Sequence, residues 1–494
     1  MNKKMNFGLK ALGIILLMSI CVSAVNNILT PKYTDDTNFP TSATYRGFYE
    51  MEKNTIDVLF LGSSRAACAF SPQELYNLYH IRSYNLGCEM QNVLVSYYWL
   101  KEALRFQKPQ VVVLETGMIF PYQSDEPLNT SIECTRKAMD YMRWSDVKRQ
   151  AIADICTYDE SQFWESYVFP NIQYHDRWEE LIRNDFTKDE MYGNLKLKGQ
   201  TMLFNSYLDW GNSGSFDKKD SANKEQIHNL MEIYLKRIVE LCEAENIQLV
   251  LVSVPSAYDS IEKYNTMFKF ANDNNLAFID YNEKETNEQL EYDYVADNAE
   301  YSHVGISGSK KVTAHLGEIM QTKLGVLARE DGQWENSNSY YGQSEQEIVL
   351  KEIYSIEEYL TKLNNKNYTV FISAQNVYGC KEIPLQIKSK FKELGVTDDY
   401  WGENSGNRYY AVICNGMAIE ENNHHPIEHS GVIEESGIQY SILSDAFESS
   451  ILIDNAEYSK HIKGLNIVVY SNVTKRIVDS SVIVFEDDNY YLTR

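Results

Sequence analysis

The chain predicts an α/β fold, a three-layer α/β/α sandwich on a parallel sheet, followed by a separate α+β domain. Three observations carry this expectation. Short runs such as Val58-Leu59-Phe60-Leu61 and Val111-Val112-Val113-Leu114 are apolar throughout rather than alternating, as expected of strands covered on both faces. Segments of helical period lie between them, which implies parallel strands joined by right-handed crossovers. Beyond a stretch rich in Gly, Ser, Asn and Gln at 330–346, the pattern changes to strands and a hairpin. A chain of 494 residues also exceeds one ordinary core.

Taken in order, residues 1–29 place Lys3, Lys4 and Lys10 around the start of an apolar run at 11–25. The secretion machinery reads that order as positive-inside, so the body should be extracytoplasmic, cell-surface or secreted. Val22-Ser23-Ala24 offers a cleavage site, and the run is short for a span of about 20 residues, so signal peptide and membrane anchor both fit. Residues 30–46 read as a polar leader.

The first domain spans 45–325. Its opening strand at 56–61 ends abruptly in Gly62-Ser63-Ser64. Ser71-Pro72-Gln73-Glu74 then caps a helix, because a serine, a proline at the first helical position and a glutamate three residues on form a capping box. A short strand at 83–86, a helix at 91–106 and a strand at 110–114 complete three βα units. An insertion at about 116–222 interrupts them and holds Trp144, Trp164, Trp178 and Trp210, whose rings read as the insertion's own core rather than as a sugar-stacking surface. Alternation resumes with a helix at 224–246, strands at 248–254 and 277–280, a helix at 261–272 between them, and a closing helix at 307–324. The stretch 330–346 reads as a linker. In the second domain, 347–494, Ser355-Ile356-Glu357-Glu358 caps a helix, Gly395 stops another at 383–394, and strands fall at 368–374, 409–414, 466–470 and 476–485.

Composition excludes several functions. A net charge of −24 argues against nucleic acid, whose phosphates need clustered cations. Eight scattered cysteines without a C-x-x-C fit neither a disulfide scaffold nor zinc, and read as small buried hydrophobes, with a Cys380 to Cys414 bridge open. His424, His425 and His429 resemble a metal cluster, but Pro426 breaks their spacing, so neither metal nor cofactor is expected.

One constellation could do chemistry. A nucleophilic serine needs a base, an orienting group and oxyanion donors. Ser64 follows the first strand, where ligands bind in open α/β sheets. His303 precedes the closing helix, Glu300 stands three residues before it, and Gly87 follows the second strand. Each alone has a plainer reading, as a turn or a hydrogen-bonded structural residue.

At these residues the chain resembles the SGNH (GDSL-like) hydrolase superfamily, in particular members that modify bacterial surface polysaccharides. Gly62-Ser63-Ser64 is similar to the nucleophile block, Asn85-Leu86-Gly87 to the second block, and Glu300-Tyr301-Ser302-His303 to the D-x-x-H block. The resemblance implies a flavodoxin-like sandwich in which Ser64 is the nucleophile, His303 the base and Glu300 its orienter, with the Ser64 and Gly87 N–H groups as the oxyanion hole. Two positions depart from the pattern. Glu300 stands where Asp is common, with Asp297 or Asp293 as substitutes, and Glu115 occupies the block that usually supplies an oxyanion-hole Asn. A glutamate donates only when protonated.

The strands Tyr368-Thr369-Val370-Phe371-Ile372 and Gly464-Leu465-Asn466-Ile467-Val468-Val469-Tyr470 make the second domain similar to the interleukin-like EMT-inducer (PANDER-like) domain, which implies a carbohydrate-binding accessory. Together the resemblances imply a serine acyl esterase or O-acetyltransferase acting on cell-surface or extracellular polysaccharide, the transferase needing a membrane acyl-donor partner. The alternative is a catalytically inactive glycan-binding or surface scaffold, which Glu115 favours.

Overall fold

The computed structural model describes residues 2–32, 41–121, 126–181, 185–186, 196–206, 215–377, 384–397, 408–433, 436–486 and 489–494. They form two compact units, 1–338 and 339–494.

In the first unit, helix α1 (Asn2–Leu29) contains the segment Gly8–Leu29, long and apolar enough to cross a membrane. Helix α2 (Thr41–Glu50) takes the last residues, 41–46, of the expected polar leader. Its Tyr45 and Phe48 are fully buried, and Tyr45 stacks on Trp99 at 4.2 Å. Strand β1 (Val58–Leu61) leads into α3 (Ser64–Ala69) and α4 (Pro72–Tyr79). The expected cap is present, with Ser71 Oγ accepting from the Glu74 N–H at 3.2 Å. Then come β2 (Ser83–Asn85), α5 (Val93–Ala103) and β3 (Val111–Glu115).

The insertion is helical in part. It contains α6 (Ile132–Met139), α7 (Asp146–Tyr158) and α8 (Trp164–Val168). Its buried apolar side chains include Met139, Met142, Ile152, Ile155 and Tyr167, and Arg136 and Lys148 are buried among them. The tryptophans do not form that core: Trp144, Trp164 and Trp178 are 52%, 38% and 66% exposed, and Trp210 lies outside the described residues. Trp144 precedes α7, Trp164 opens α8 and Trp178 lies in a short turn at 175–179, so none of them sits on the buried stripe of a helix.

The chain returns through α9 (Asn229–Ala244), β4 (Gln248–Ser253), α10 (Ile261–Asp273), β5 (Ala277–Asp280), α11 (Lys284–Gln289), α12 (Tyr294–Asp297) and α13 (Ile306–Thr322). The five strands pair in parallel in the order β2-β1-β3-β4-β5, a doubly wound sheet with β1 at the reversal of strand order. Alternation within each apolar run assigns the two faces. Leu59, Leu61, Val112, Leu114, Leu249 and Leu251 pack toward α5, α9 and the insertion helices, whereas Val58, Phe60, Val111, Val113, Val250 and Val252 pack toward α3, α4 and α13.

The stretch expected as a linker is helical. Residues 330–346 contain α14 (Gly332–Glu335) and the start of α15 (Asn338–Leu350), with Trp334, Tyr340 and Tyr341 buried. Apolar rings with a surface to cover outweigh a linker-like composition. The boundary between the units nevertheless falls here, after Asn338.

The second unit adds α16 (Ile356–Leu363), β6 (Tyr368–Gln375), α17 (Leu385–Glu393), β7 (Arg408–Cys414), β8 (Met417–Asn423), β9 (Ile427–Val432), β10 (Gln439–Ser444), β11 (Ser449–Ile453), β12 (Ala456–Glu457), β13 (Gly464–Ser471), β14 (Arg476–Glu486) and β15 (Asn489–Thr493). An antiparallel sheet ordered β15-β14-β13-β6-β7-β8 carries α16 and α17 on one face. A four-stranded sheet, β12-β11-β10-β9, covers the other through Phe371, Tyr410, Val468 and Tyr470. β13 and β14 form the expected hairpin. Cys380 lies outside the described residues, so the Cys380 to Cys414 bridge does too.

Candidate active site

The site is built at the carboxyl end of β1. Gly62 has φ +144°, and a Cβ there would stand 2.6 Å from the Glu115 Cβ, so only glycine fits this tight exit from the strand. Ser63 is the N-cap of α3, its Oγ accepting from the Arg65 N–H at 3.3 Å. That arrangement leaves Ser64 as the first helical residue. Its N–H has no protein acceptor among the described residues, as expected of a first-turn donor.

His303 comes from the loop between α12 and α13. An isolated bridge pairs Asn298 with Val304, and the Ala299 N–H donates to the His303 carbonyl at 3.0 Å. This closed loop carries Glu300 back beneath the imidazole. His303 Nε2 lies 2.7 Å from Ser64 Oγ, and Nδ1 is hydrogen-bonded to Glu300 Oε1. The Ser302 hydroxyl stands 3.3 Å from the same Nδ1. The hydrogen bond from His303 holds the Glu300 carboxyl below the ordinary carboxylate range. Glu300 is therefore the carboxylate that meets the imidazole. Asp297 instead accepts from Ser307 Oγ at 2.5 Å and Lys311 Nζ at 2.7 Å, and Asp293 caps α12 through the Val295 N–H at 2.8 Å.

Glu115 is an acceptor and not an oxyanion donor. Its Oε2 accepts from Ser63 Oγ at 2.8 Å and from the Ser63 N–H at 3.2 Å, while Oε1 accepts from the Gly117 N–H at 2.5 Å. With a side chain 0% exposed, this carboxylate pins the serine turn to the end of β3. The charge is answered by Arg65 Nη1 at 3.9 Å. The same guanidinium reaches Asp259 Oδ2 at 3.1 Å and Ser256 Oγ at 2.8 Å, so it ties the ends of β1, β3 and β4 together.

Gly87 is placed differently from the oxyanion expectation. Its N–H donates to Asn85 Oδ1 at 2.9 Å, which removes it as a free donor. Its small size has another use. A Cβ on Gly87 would stand 2.7 Å from Ala67 N and 2.9 Å from the Ser63 carbonyl, so the glycine lets this turn pack against the nucleophile turn. Asn85 completes the contact by donating to the carbonyls of Ala66 at 2.8 Å and Phe70 at 2.9 Å.

Sequence reasoning missed Asn85, Arg65 and the acceptor role of Glu115. The signal was available for Glu115 alone, as a carboxylate in an otherwise apolar strand end, a position that demands partners. Cys68, in the turn of α3 after Ser64, is no rival nucleophile, because burial pushes its thiol well above the usual range. No group of three metal-ligating side chains occurs among the described residues, and His429 instead stacks on Tyr410 at 4.5 Å.

No protein-family model matches the chain, and no curated protein matches it.

Proposed function

We propose that the chain is an extracytoplasmic serine acyl esterase or O-acyltransferase of SGNH type, acting on ester groups of cell-surface or extracellular polysaccharide. The single observation that carries this reading is the hydrogen-bonded row from Ser64 Oγ through His303 to Glu300, with 2.7 Å at its reactive end. In the first half-reaction Ser64 Oγ bonds to the acyl carbon as its proton passes to His303 Nε2, and Glu300 stabilises the imidazolium. Collapse of the tetrahedral intermediate breaks the ester bond, and the imidazolium returns the proton to the departing alkoxide. Water then attacks the acyl-serine in an esterase, and a sugar hydroxyl does so in a transferase. The Ser64 N–H is the oxyanion donor in this scheme.

A glycan substrate is supported by Tyr258 and Tyr301, which are 55% and 41% exposed and lie 6.4 Å apart beside the His303 loop. Exposed rings of this kind bind sugar faces with little loss of side-chain entropy. The likeness of the second unit to the interleukin-like EMT-inducer domain adds a proposed carbohydrate-binding accessory.

The scaffold reading keeps two supporting observations, the acceptor role of Glu115 and the commitment of the Gly87 N–H to Asn85. Purified protein treated with a fluorophosphonate probe and an aryl acetate separates the two. Labelling and turnover are expected, and Ser64→Ala should abolish the first and lower kcat by at least about 10³-fold. Turnover unchanged in Ser64→Ala would overturn the assignment.

A further inference from the structure

The outer end of α1 is built into the ectodomain. The Asn171 N–H donates to Asn26 Oδ1 at 3.2 Å, Arg177 Nη1 donates to the Leu29 carbonyl at 2.8 Å, and the Tyr141 hydroxyl bonds the Pro31 carbonyl. Beside this junction Trp144, Phe169 and Trp178 are 52%, 44% and 66% exposed. Aromatic rings at the end of an apolar helix are the pattern of a membrane interface. The apolar segment Gly8–Leu29 rises about 33 Å, against a hydrocarbon thickness of about 30 Å, so a spanning α1 brings this aromatic shoulder to the interface.

Two cavities meet at this shoulder. One, of about 640 Å³, is lined by Ile15, Met18 and Val22 of α1 and by Trp144, Phe169 and Pro170. The other, of about 470 Å³, contains Lys32, Arg46, Arg143 and Lys148. Asn27, Thr30 and Trp144 line both. Four cations in one cavity stand out in a chain of net charge −24. Two carboxylates share it, Glu50 and Asp140, and Asp140 is already engaged by Arg136 at 2.9 Å and the Tyr174 hydroxyl at 2.6 Å. Buried Lys148 donates to the carbonyls of Met142 at 2.8 Å and Asp140 at 3.2 Å. Desolvation brings its ammonium down to about 8, so an arriving anion would hold it charged. The Arg143 guanidinium lies over the Tyr49 ring, 4.1 Å from its centroid.

We infer that these adjoining cavities bind one phosphate-headed anionic membrane lipid, its chain along α1 and its headgroup among Lys32, Arg46, Arg143 and Lys148. The order of the two cavities argues for a lipid over a soluble anion. Ile15 lies about 18 Å from Asn27 along the helix, a depth that opens to the bilayer once α1 spans it. The volumes are those of ligand cavities, roughly 300–1,000 Å³.

The inference rests on an uncleaved α1 and is independent of the Ser64 chemistry. Full-length protein in mild detergent is offered equimolar phosphatidylglycerol and phosphatidylcholine and examined by native mass spectrometry, with N-terminal sequencing of the same sample. Preferential retention of phosphatidylglycerol by about tenfold or more is expected, falling by a similar factor in Arg46→Gln/Arg143→Gln and unchanged in Ser64→Ala. Exposed Arg143→Gln serves alone where the double variant loses its fold, with about a fivefold effect. Equal retention of the two lipids, retention unchanged by these variants, displacement of the lipid by millimolar inorganic phosphate, or a chain beginning at Val25 would each overturn it.

Discussion

At the scale of single residues, the proposed chemistry turns on a proton path of two hydrogen bonds. Glu300 is half-exposed, with a side chain 50% accessible, so water screens its effect on the imidazole. Glu300→Gln is accordingly expected to lower kcat/KM for an aryl acetate by about 10–10²-fold, less than the roughly 10⁴-fold seen when a buried orienting acid is neutralised. The sign of its pH dependence follows from the bond to His303. Glu300 titrates below its ordinary 4.5, so the contribution of the pair is complete above that value and is lost as pH falls through the lower folded-state value. A pH–stability profile of wild type against Glu300→Gln should diverge above that range and converge in acid. Divergence in acid alone would contradict the pairing.

At the scale of elements, Asn85 at the end of β2 holds α3 by two buried hydrogen bonds and accepts a third from the Gly87 N–H of its own turn. Asn85→Ala is expected to cost about 2–4 kcal/mol in denaturant unfolding, because it removes three buried hydrogen bonds and leaves the Gly87 N–H without its acceptor, while the Ala66 carbonyl keeps the Phe70 N–H. It should also lower kcat by loosening the serine turn. The end of β5 carries the opposite case. Burial, then Asp259, raises the Asp280 carboxyl to about 7, whereas in the unfolded chain it ionises near 3.8. The native state therefore holds a proton that the unfolded chain has released, and this opposes folding increasingly from 3.8 up to about 7, then by a constant amount. Asp280→Asn keeps an oxygen for the Asn282 N–H, which now donates to Asp280 Oδ1 at 2.8 Å. Its Tm should exceed that of wild type by on the order of a few degrees at alkaline pH and match it in acid. A constant offset across pH would sink this account.

How far these elements were legible depended on what buries them. The five parallel strands and the Ser71 and Ser355 caps were readable because apolar runs and capping serines are local signals. Helix α2 was not, because Tyr45 and Phe48 look unremarkable in a polar leader until Trp99 supplies the surface they cover. The sheet of β9 to β12 escaped notice for a related reason. β10 buries a single face, and the register of the sheet is set by its pairing partners.

At the scale of the whole molecule, each unit has its own core, one around the parallel sheet and one around β6 and β13. A chain ending at Asn338 is therefore expected to keep its turnover of a small aryl acetate within about threefold while losing binding to an acylated polysaccharide. Retained polysaccharide binding would move that role to the first unit.

What the sequence determined by itself was the placement of Ser64, His303 and Glu300 at strand and helix boundaries, together with the positions of the parallel strands along the chain, because apolar runs, caps and short motifs are written in consecutive residues. Tertiary structure alone decided the rest. Gly87 gives its N–H to Asn85, Glu115 accepts from Ser63 and Gly117, and the insertion's described tryptophans face outward. Each outcome depends on which groups from distant parts of the chain compete for the same donor, acceptor or apolar surface.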